Sequence, residues 1–417
     1  MSILRAILST LFLLLTMPAV AGDTVHLVAI RVVGTHEFSE TEVARASGLK
    51  LNQTIGPAEF KNAADRLAAS GAFASVGYKY GPQGSGMFVE FSLEDAPKYL
   101  PVRYENFVWM SDSELTDEIS KRVPLFHGKL PEGGGIVEQV TEAMTALLTE
   151  RGISGHGQMR LHSAGIGQPV DAVSLFVDGV NLPVTEFEFT NVNPAYVQQL
   201  QEILKPLLGS NFERGVTGES IVFRLKPLYQ DIGMLKVLVD PPSTSLIGDP
   251  KSPSVKVTVN VREGLQYALG EVVWTGNTVF SQNELLKPIT NPKGKALKYS
   301  SFVDGIRKAA DGYGNKGYLE AKIGITPTYN DEARTVNYEL NVTEGRQFKM
   351  ARFTVAGLDP KTCEELEKRW KLKVGEPYDS SYERLFLNDT ARVLQGRPAR
   401  ITQLPHPDGT VDVKMEF

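Results

Sequence analysis

The sequence predicts an α+β fold of five tandem modules, each containing a strand, two helices and two further strands. Each module is expected to form a three-stranded sheet with both helices on one face. Three observations predict this fold: one pattern of helix start recurs five times, a glycine follows each second helix, and two strands of alternating polarity close each unit. At 417 residues the chain is also too long for one compact core, which favours several small domains.

The five helix starts share a capping chemistry. Three place a serine at the cap and a glutamate three residues later, so that each side chain satisfies a backbone N–H of the other residue. The other two place Asn or Asp directly before proline, which suits the first helical position. An apolar residue stands before every cap and can pack on the residue four positions after the cap. The predicted caps are Ser39, Ser111, Asn193, Ser281 and Asp359.

The remainder of the unit repeats as well, most clearly in the fourth. Its second helix has apolar residues at helical spacing from Tyr299 to Tyr313 and ends near Gly317. Two strands of period two follow, at Ala321–Ile325 and Val336–Val342. The predicted boundaries are a signal segment at 1–21 and modules at 24–96, 97–180, 181–264, 265–345 and 346–417.

Residues 1–21 have the pattern of a cleaved secretory signal. A single positive charge at Arg5 precedes an apolar run centred on Leu11–Leu15, and Ala19-Val20-Ala21 is the small-x-small pattern that signal peptidase cuts after. The alternative is an uncleaved membrane anchor, although the run is shorter than the roughly 20 apolar residues that cross a bilayer. We expect an exported chain that begins at Gly22.

Composition excludes several classes of protein. With 42% hydrophobic and 22% charged residues the chain is typical of folded soluble protein. The net charge of -5 disfavours a nucleic acid partner, because phosphate binding normally needs a basic protein. Cys363 is the only cysteine, so no internal disulfide can form and stability must come from packing.

Residues of the fourth unit resemble a known family. Three of its motifs resemble those of the polypeptide-transport-associated (POTRA) module of the BamA- and TamA-like outer-membrane assembly superfamily. They are Val273-Trp274-Thr275-Gly276-Asn277, Gly317-Tyr318 and Val342-Thr343-Glu344-Gly345. Gly34, Phe38 and Ser39 give the first unit a weaker likeness, whereas the other three units share only the order of elements. The resemblance implies a chain in the periplasm, or on the periplasmic face of the outer membrane, that binds other polypeptides.

The chain departs from that family at its end. In the best-known relatives such modules precede a transmembrane barrel, which needs at least eight strands of roughly ten residues. We expect no barrel here, because the fifth unit reaches the last residue. Gly409–Phe417 alternates apolar residues and ends in phenylalanine as barrel strands often do, but the last strand of the fifth module is the favoured interpretation.

An edge strand is the expected binding element. A small sheet leaves N–H and C=O groups on an edge strand, which can pair with a visiting strand by β-augmentation. The resemblance places that edge directly after the second helix, at Gly155–His162, Leu235–Val239 and Ala321–Ile325. The alternative is that loops or neighbouring modules cover these edges. The candidate polypeptide-binding residues are Gln158, Arg160, Leu235, Val237, Ala321, Ile323 and Ile325.

The sequence shows no cluster of residues for catalysis or for metal or cofactor binding. His156 and His162 lie on a predicted strand, opposite Met159 and Leu161, as solvent-facing residues do, and a metal would need further ligands nearby. Cys363 occupies the apolar position after a cap, which indicates a buried core residue and not a nucleophile. We therefore expect no enzyme activity, no cofactor and no metal.

Three further segments have competing interpretations. Glu132–Gly135 lacks the lysine and the preceding strand of a phosphate-binding loop, which indicates a linker. Lys368–Lys373 is basic and contains a tryptophan, so it suits lipid headgroups or peptidoglycan, but cations at a helix C-terminus are the favoured interpretation. Pro241–Pro253 is predicted to be a long hairpin loop.

The predicted function is a periplasmic scaffold or chaperone that binds extended polypeptides during outer-membrane protein assembly or secretion. Its expected partners are unfolded polypeptides, outer-membrane protein precursors or barrel-assembly components, with at most indirect contact with the membrane. The alternative is a structural adaptor that docks on a separate membrane partner, and an enzyme of unknown type is a remote third.

Overall fold

The computed structural model of this chain describes residues 26–163, 165, 167–249, 252–292, 294–394 and 397–417. The predicted signal segment at 1–21 lies outside the described residues. The chain divides into two compact units. One comprises the described residues up to Pro183 together with Asn211–Arg214 and Ser245–Val255, and the other comprises Val184–Ser210, Gly215–Thr244 and Lys256–Phe417.

The described residues form five sheets, and the first two modules contain the first two of them. The first module consists of β1 (Leu27–Val33), α1 (Glu40–Ser47), α2 (Pro57–Ala69), β2 (Phe73–Gln83) and β3 (Gly86–Asp95). The second consists of β4 (Tyr99–Tyr104), α3 (Asp112–Arg122), β5 (Lys129–Pro131), α4 (Gly135–Glu150), β6 (His156–Ser163) and β7 (Val170–Asp178).

The last three modules follow the same order of elements. The third contains β8 (Val184–Thr190), α5 (Pro194–Leu204), a short 3-10 turn, α6 (Arg214–Asp231), β9 (Leu238–Val239), β10 (Ser243–Ile247) and β11 (Ser254–Arg262). The fourth contains β12 (Ala268–Thr275), α7 (Gln282–Leu286), α8 (Tyr299–Asn315), β13 (Lys322–Asn330) and β14 (Thr335–Thr343). The fifth contains β15 (Lys349–Ala356), α9 (Pro360–Arg369), α10 (Tyr382–Leu394), β16 (Arg400–Pro405) and β17 (Thr410–Glu416).

One topology recurs in the sheets of the first, fourth and fifth modules. The first strand pairs in parallel with the last strand, and the last strand pairs antiparallel with the middle one, giving the orders β1-β3-β2, β12-β14-β13 and β15-β17-β16. The predicted α+β class and the five sheet modules are thus confirmed. Because β17 is the central strand of its sheet, both of its edges are paired and it serves as the last strand of the fifth module.

Two modules depart from the predicted three-stranded sheet. In the second, β5 adds a fourth strand beside β4, giving the order β5-β4-β7-β6. In the third, β9 and β10 both pair with β11, because Pro241-Pro242 lies between them and proline cannot donate to a strand ladder. The prediction of a single hairpin loop at Pro241–Pro253 was therefore wrong, since Ser243–Ile247 is a strand within it.

The predicted helix caps are confirmed at all five positions. Ser39, Ser111 and Ser281 form capping boxes with the glutamates three residues later, and Asn193 and Asp359 accept from the backbone N–H groups of the helices that they start. The reason is local, since cap, glutamate and proline act within a few residues of one another.

Aromatic side chains fill the module cores. In the fourth module the rings of Phe302 and Tyr338 lie 4.2 Å apart between centroids, and both side chains are buried. A buried aromatic ring stabilises the fold by about 1.5–3 kcal/mol through its apolar area. Cys363 packs against the core of the fifth module as predicted, but it is only half-buried, with its sulfur 3.6 Å from the Leu358 carbonyl oxygen.

Consecutive modules in the second compact unit are joined by one repeated contact. The backbone N–H of Tyr267 donates to the carbonyl of Gly233 at 2.9 Å, and that of Phe348 donates to the carbonyl of Gly317 at 2.8 Å. Both aromatic side chains are fully buried. Each glycine has a positive φ and ends the second helix of the preceding module, so the end of one module fixes the first strand of the next.

Candidate functional site

The outer edge of the first strand is covered where the strand begins in every module. In the second module β5 pairs with β4. In the others the segment before the second helix forms a β-bridge to the start of the first strand. These bridges are His26 with Thr54, Pro183 with Asn211, Ala268 with Ala296 and Lys349 with Pro377.

The opposite edge is the open one. Within the described part of the chain, β2, β6, β13 and β16 each pair with a single neighbour, and each of them directly follows the second helix of its module. This is the edge that the family resemblance predicts to be available.

The four open edge strands differ in whether they contain proline. Pro327 stands in the middle of β13, Pro405 ends β16 and Pro82 lies near the end of β2, whereas β6 has eight residues and no proline. A proline at an edge removes a donor and disfavours pairing with a further strand. The structure therefore favours β6, in the second module, as the edge to which an extended chain can be added.

The candidate residues of the third and fourth modules occupy different positions. Ile323 and Ile325 lie on β13, and Ala321 lies just before it. Leu235 and Val237 belong to no strand, because they precede the two-residue β9, and both are buried. The expectation that these two residues form an edge strand was wrong, since the strand that would hold them is interrupted before it can extend.

The backbone of β6 points in alternating directions. Val177 of β7 lies opposite Gly157. The Val177 N–H donates to the Asn106 side chain and the Val177 carbonyl accepts from it, so Val177 and Gly157 form no ladder bond with each other. By the same alternation Met159 and Leu161 direct their N–H and C=O groups to the open side.

The backbone groups of the two candidate residues on β6 therefore point away from the open edge. The backbone groups of Gln158 and Arg160 point to β7, because their positions alternate with those of the outward-facing residues. The Arg160 side chain pairs with Glu213 and lies 5.2 Å from the centre of the Phe176 ring. Their backbone groups are thus not the free ones of this edge, and their role in polypeptide binding stays a prediction.

Helix α4 lies close beside β6. An added Cβ at Gly157 would come within 2.4 Å of the Thr141 carbonyl oxygen, so only glycine fits here. The Thr145 hydroxyl accepts the outward Gly157 N–H at 2.9 Å and donates to the Thr141 carbonyl at 2.9 Å. Thr141, Thr145 and Thr149 recur every four residues in the sequence, and that spacing is the signal that marks this helix face.

An open groove follows α4 on both sides of this close contact. A cavity of about 660 Å³ lies between Glu138–Glu150 on the helix and His156–Gln158 on the strand. A second cavity of about 370 Å³ continues between Glu132–Thr141 and Gln158–Met159. We call these two cavities together the α4–β6 groove; on the strand side they are bordered by His156–Met159.

The corresponding space in the first module is filled. Tyr80 of β2 stacks on Phe60 of α2 with ring centroids 4.7 Å apart, and Tyr78 stacks on Tyr80 at 6.4 Å. An added strand would have to displace these rings, so the edge of β2 is less accessible than that of β6.

The face of β6 opposite α4 carries a small charged cluster. Nδ1 of His162 lies 2.6 Å from the Asp171 carboxylate, and Arg103 lies 3.8 Å from it. The hydrogen bond with His162 holds the pKa of Asp171 below its ordinary range. Among the described residues no group of three or more His, Cys, Asp or Glu side chains is placed to hold a metal ion.

A family model identifies the class of one module. The model of the POTRA family, described as surface antigen variable number repeat, matches residues 267–345. The fourth module is therefore a POTRA domain, and the resemblance predicted from its Glu344-Gly345 and Gly317-Tyr318 motifs is confirmed. In the described part of the chain no helix has both the length and the hydropathy to span a membrane.

Individual relatives agree with this class. A putative outer membrane protein assembly factor of Treponema pallidum (strain Nichols) is 26% identical over 127 residues, 30% of this chain and 15% of that protein. The outer membrane protein assembly factor BamA of Neisseria meningitidis serogroup B (strain ATCC BAA-335 / MC58) is 25% identical over 186 residues, 42% of this chain and 23% of that protein. The matched segments thus span less than a quarter of either relative's length.

One solved structure covers several modules. The crystal structure of Haemophilus influenzae BamA POTRA3-5 aligns with a TM-score of 0.45 at 19% identity, and the alignment covers 56% of this chain and 95% of that chain.

Proposed function

We propose that this chain is a periplasmic scaffold or chaperone that binds extended polypeptides during outer-membrane protein assembly or secretion. The POTRA match at residues 267–345 and two relatives named as outer membrane protein assembly factors support this role. The signal-like pattern of residues 1–21 supports a place in the periplasm or at the periplasmic face of the outer membrane. Partners are unfolded outer-membrane protein precursors or barrel-assembly components.

The observation that carries the proposal is the open edge of β6. Met159 and Leu161 direct backbone donors and acceptors outward, and the α4–β6 groove beside Met159 leaves space for an added strand. Pairing through backbone groups accepts many sequences, as a protein that handles many clients requires. Weaker sites on the other modules would add to the affinity by raising the effective concentration of a tethered client.

Substitution of one outward residue tests this edge. Leu161→Pro removes an outward N–H and leaves the ladder to β7 intact, because the Leu161 N–H does not take part in that ladder. Leu161 is 50% exposed, so little packing is lost. We expect weaker capture of a urea-denatured outer-membrane barrel protein in a photo-crosslinking assay with the probe at Gln158.

The matched control is Leu161→Ala, which keeps the N–H and shortens the same side chain. It should capture the denatured protein as well as the unaltered chain does. Thermal melts of both variants establish that they are folded. If a folded Leu161→Pro variant captures the denatured protein at full strength, the edge of β6 is not the binding element.

A second candidate function is the structural adaptor, and helix α6 favours it. Phe223 is 79% exposed and Val216, two turns earlier on the same face, is 56% exposed. Such apolar side chains suit a fixed protein partner. If Phe223→Ser removes one stoichiometric partner from purified complexes while crosslinking to denatured proteins at Gln158 is unchanged, the adaptor role applies.

A further inference from the structure

The α4–β6 groove has an uneven distribution of charge. Glu138 and Glu142 lie one helical turn apart on the exposed face of α4, and both line the groove. Within the described part of the chain no cation pairs with either carboxylate. The hydroxyls of Thr141 and Thr145 beside them are already used by the helix backbone, to which they donate.

The carboxylates at the two ends of the groove are neutralised. Glu132 pairs with Lys98 at 2.6 Å, and Glu150 pairs with Arg122 at 2.9 Å. His156 is the titratable group that the strand contributes to the lining. The uncompensated negative charge therefore lies between these two ends, on the α4 side of the groove.

The spacing of the two central carboxylates matches the repeat of a strand. Four residues of helix rise about 6 Å, and alternate side chains of a strand lie about 6.7 Å apart. Helix and strand run antiparallel here, because Gly157 contacts Thr141 and Thr145 in the middle of α4 whereas Met159 lies nearer its start. Two successive side chains on one face of an added strand can therefore meet Glu138 and Glu142.

We propose that the α4–β6 groove selects extended segments that carry lysine or arginine at alternate positions. The inference rests on the proposed function, since it requires that a strand adds to β6. Backbone pairing supplies binding that is independent of sequence, and the two central carboxylates supply a preference for cations. Clients of this module are thus strands with a cationic stripe on the face that meets α4.

Three synthetic peptides test the preference on the full-length chain purified after export. Each is an eight-residue alternation of threonine with lysine, glutamine or glutamate, labelled for fluorescence anisotropy. We expect the lysine peptide to bind about fivefold more tightly than the glutamine peptide, as two exposed ion pairs allow, and the glutamate peptide to bind most weakly. High salt should abolish the difference.

Two double variants assign the effect to the groove. Glu138→Gln with Glu142→Gln should make the lysine and glutamine peptides equal. Glu219→Gln with Glu332→Gln changes the net charge by the same amount outside the groove, and it should keep the preference.

The possible outcomes separate a failure of this inference from a failure of the proposed function. If the lysine and glutamine peptides bind equally and Leu161→Pro weakens both, the edge binds strands but the charge preference is wrong. A lysine preference that survives the Glu138 and Glu142 changes also overturns it. If Leu161→Pro weakens neither peptide, binding does not use the β6 edge, and both the inference and the proposed function fail.

Discussion

Tyr313 of helix α8 donates a hydrogen bond to the Glu344 carboxylate at the end of β14, over 3.1 Å. The same carboxylate accepts the backbone N–H groups of Thr278 at 2.6 Å and Val279 at 2.9 Å, in the loop that leads into the first helix. A single glutamate thus ties the last strand, the second helix and the entry to the first helix together. This is the physical role of glutamate in the Val-x-Glu-Gly motif.

The third module repeats the arrangement. Tyr229 of α6 donates to Glu263 at 3.1 Å, and Glu263 accepts the Asn193 N–H at 3.0 Å. Since Glu263-Gly264 and Glu344-Gly345 both end their modules, the motif marks a structural joint and not a binding site.

Removal of the Glu344 carboxylate should destabilise the fourth module. Glu344→Ala leaves four donors without their acceptor, namely the hydroxyls of Tyr313 and Thr278 and the backbone N–H groups of Thr278 and Val279, which we expect to cost about 3 kcal/mol. Tyr313→Phe should cost about 1 kcal/mol, because it removes one of the four bonds. Urea unfolding followed by tryptophan fluorescence measures both. The exposed Glu332→Ala is the control, and an equal cost at Glu332 and Glu344 would contradict this role.

The stability that Glu344 contributes should depend on pH. Burial acts to raise the pKa of Glu344, but the hydrogen bonds from Thr278, Val279 and Tyr313 outweigh it and hold the pKa below its usual 4.5. A lowered pKa in the folded state gives stability that is present above pH 4.5 and is lost as the pH falls below it. The difference in unfolding free energy between Glu344→Ala and the unaltered chain should therefore shrink from pH 7 to pH 3. A constant difference over that range would contradict the assignment.

The joint between the fourth and fifth modules depends on Gly317. Its φ is +87°, and an added Cβ would lie 2.6 Å from the Phe348 carbonyl oxygen. Gly317→Ala should therefore reduce the unfolding free energy of these modules by more than the cost of the left-handed backbone alone, which is about 1–2 kcal/mol. The loss is measured as a lower melting temperature. Gly375→Ala is the matched control, because Gly375 has φ +85° with no atom near the added Cβ. Equal losses at Gly317 and Gly375 would show that the contact with Phe348 is unimportant.

The core of the fifth module depends on Phe386. Its ring packs edge-on against Trp370 at 5.0 Å and Phe353 at 5.3 Å, and the side chain is 1% exposed. Phe386→Ala should cost about 3–5 kcal/mol through the cavity that it leaves. Leu385→Ala, at the next position of α10, should be nearly neutral because Leu385 is 53% exposed. Calorimetry measures both. Similar losses of unfolding free energy in the two variants would contradict a core that is packed around Phe386.

Local chemistry explains why much of the fold was predictable. Ser281 and Glu284 specify a capping box within four residues, and the alternation of Val336–Val342 specifies a strand with one buried face. The order of such elements, repeated five times, was sufficient for the α+β modules. The fourth strands were not predictable, because the short β5 is extended only through its contact with β4.

The site could be predicted only in part. The family resemblance predicts β6 as an open edge, but the direction of each backbone group depends on its register with β7, which the sequence does not state. The sequence therefore predicts Gln158 and Arg160, whereas the backbone groups of Met159 and Leu161 face outward. Similarly, the apolar pattern around Leu235 predicts a strand, because it does not reveal the interruption before β10.

Gly157 sets the distance between β6 and α4, and its replacement provides the sharpest structural test of the groove. Gly157→Ala would place a Cβ 2.4 Å from the Thr141 carbonyl oxygen and 2.8 Å from the Met144 Cβ, so strand and helix must separate. We expect a loss of about 1–3 kcal/mol in the second module, as overpacking gives. Hydrogen exchange of the Gly157 amide and of the ladder amides of Gln158 and Arg160 should accelerate, because the Thr145 hydroxyl can no longer hold the strand.

Gly324→Ala supplies the comparison at an open edge that has room. Gly324 lies on β13, and its added Cβ would meet the Asn341 carbonyl oxygen at an ordinary 3.7 Å. Because alanine also restricts the unfolded chain more than glycine does, this variant should be neutral or slightly stabilised. The two substitutions are chemically identical and differ only in what lies behind the strand. Equal stability of the Gly157 and Gly324 variants would mean that α4 does not hold β6 in place, and the groove between them would lose its structural basis.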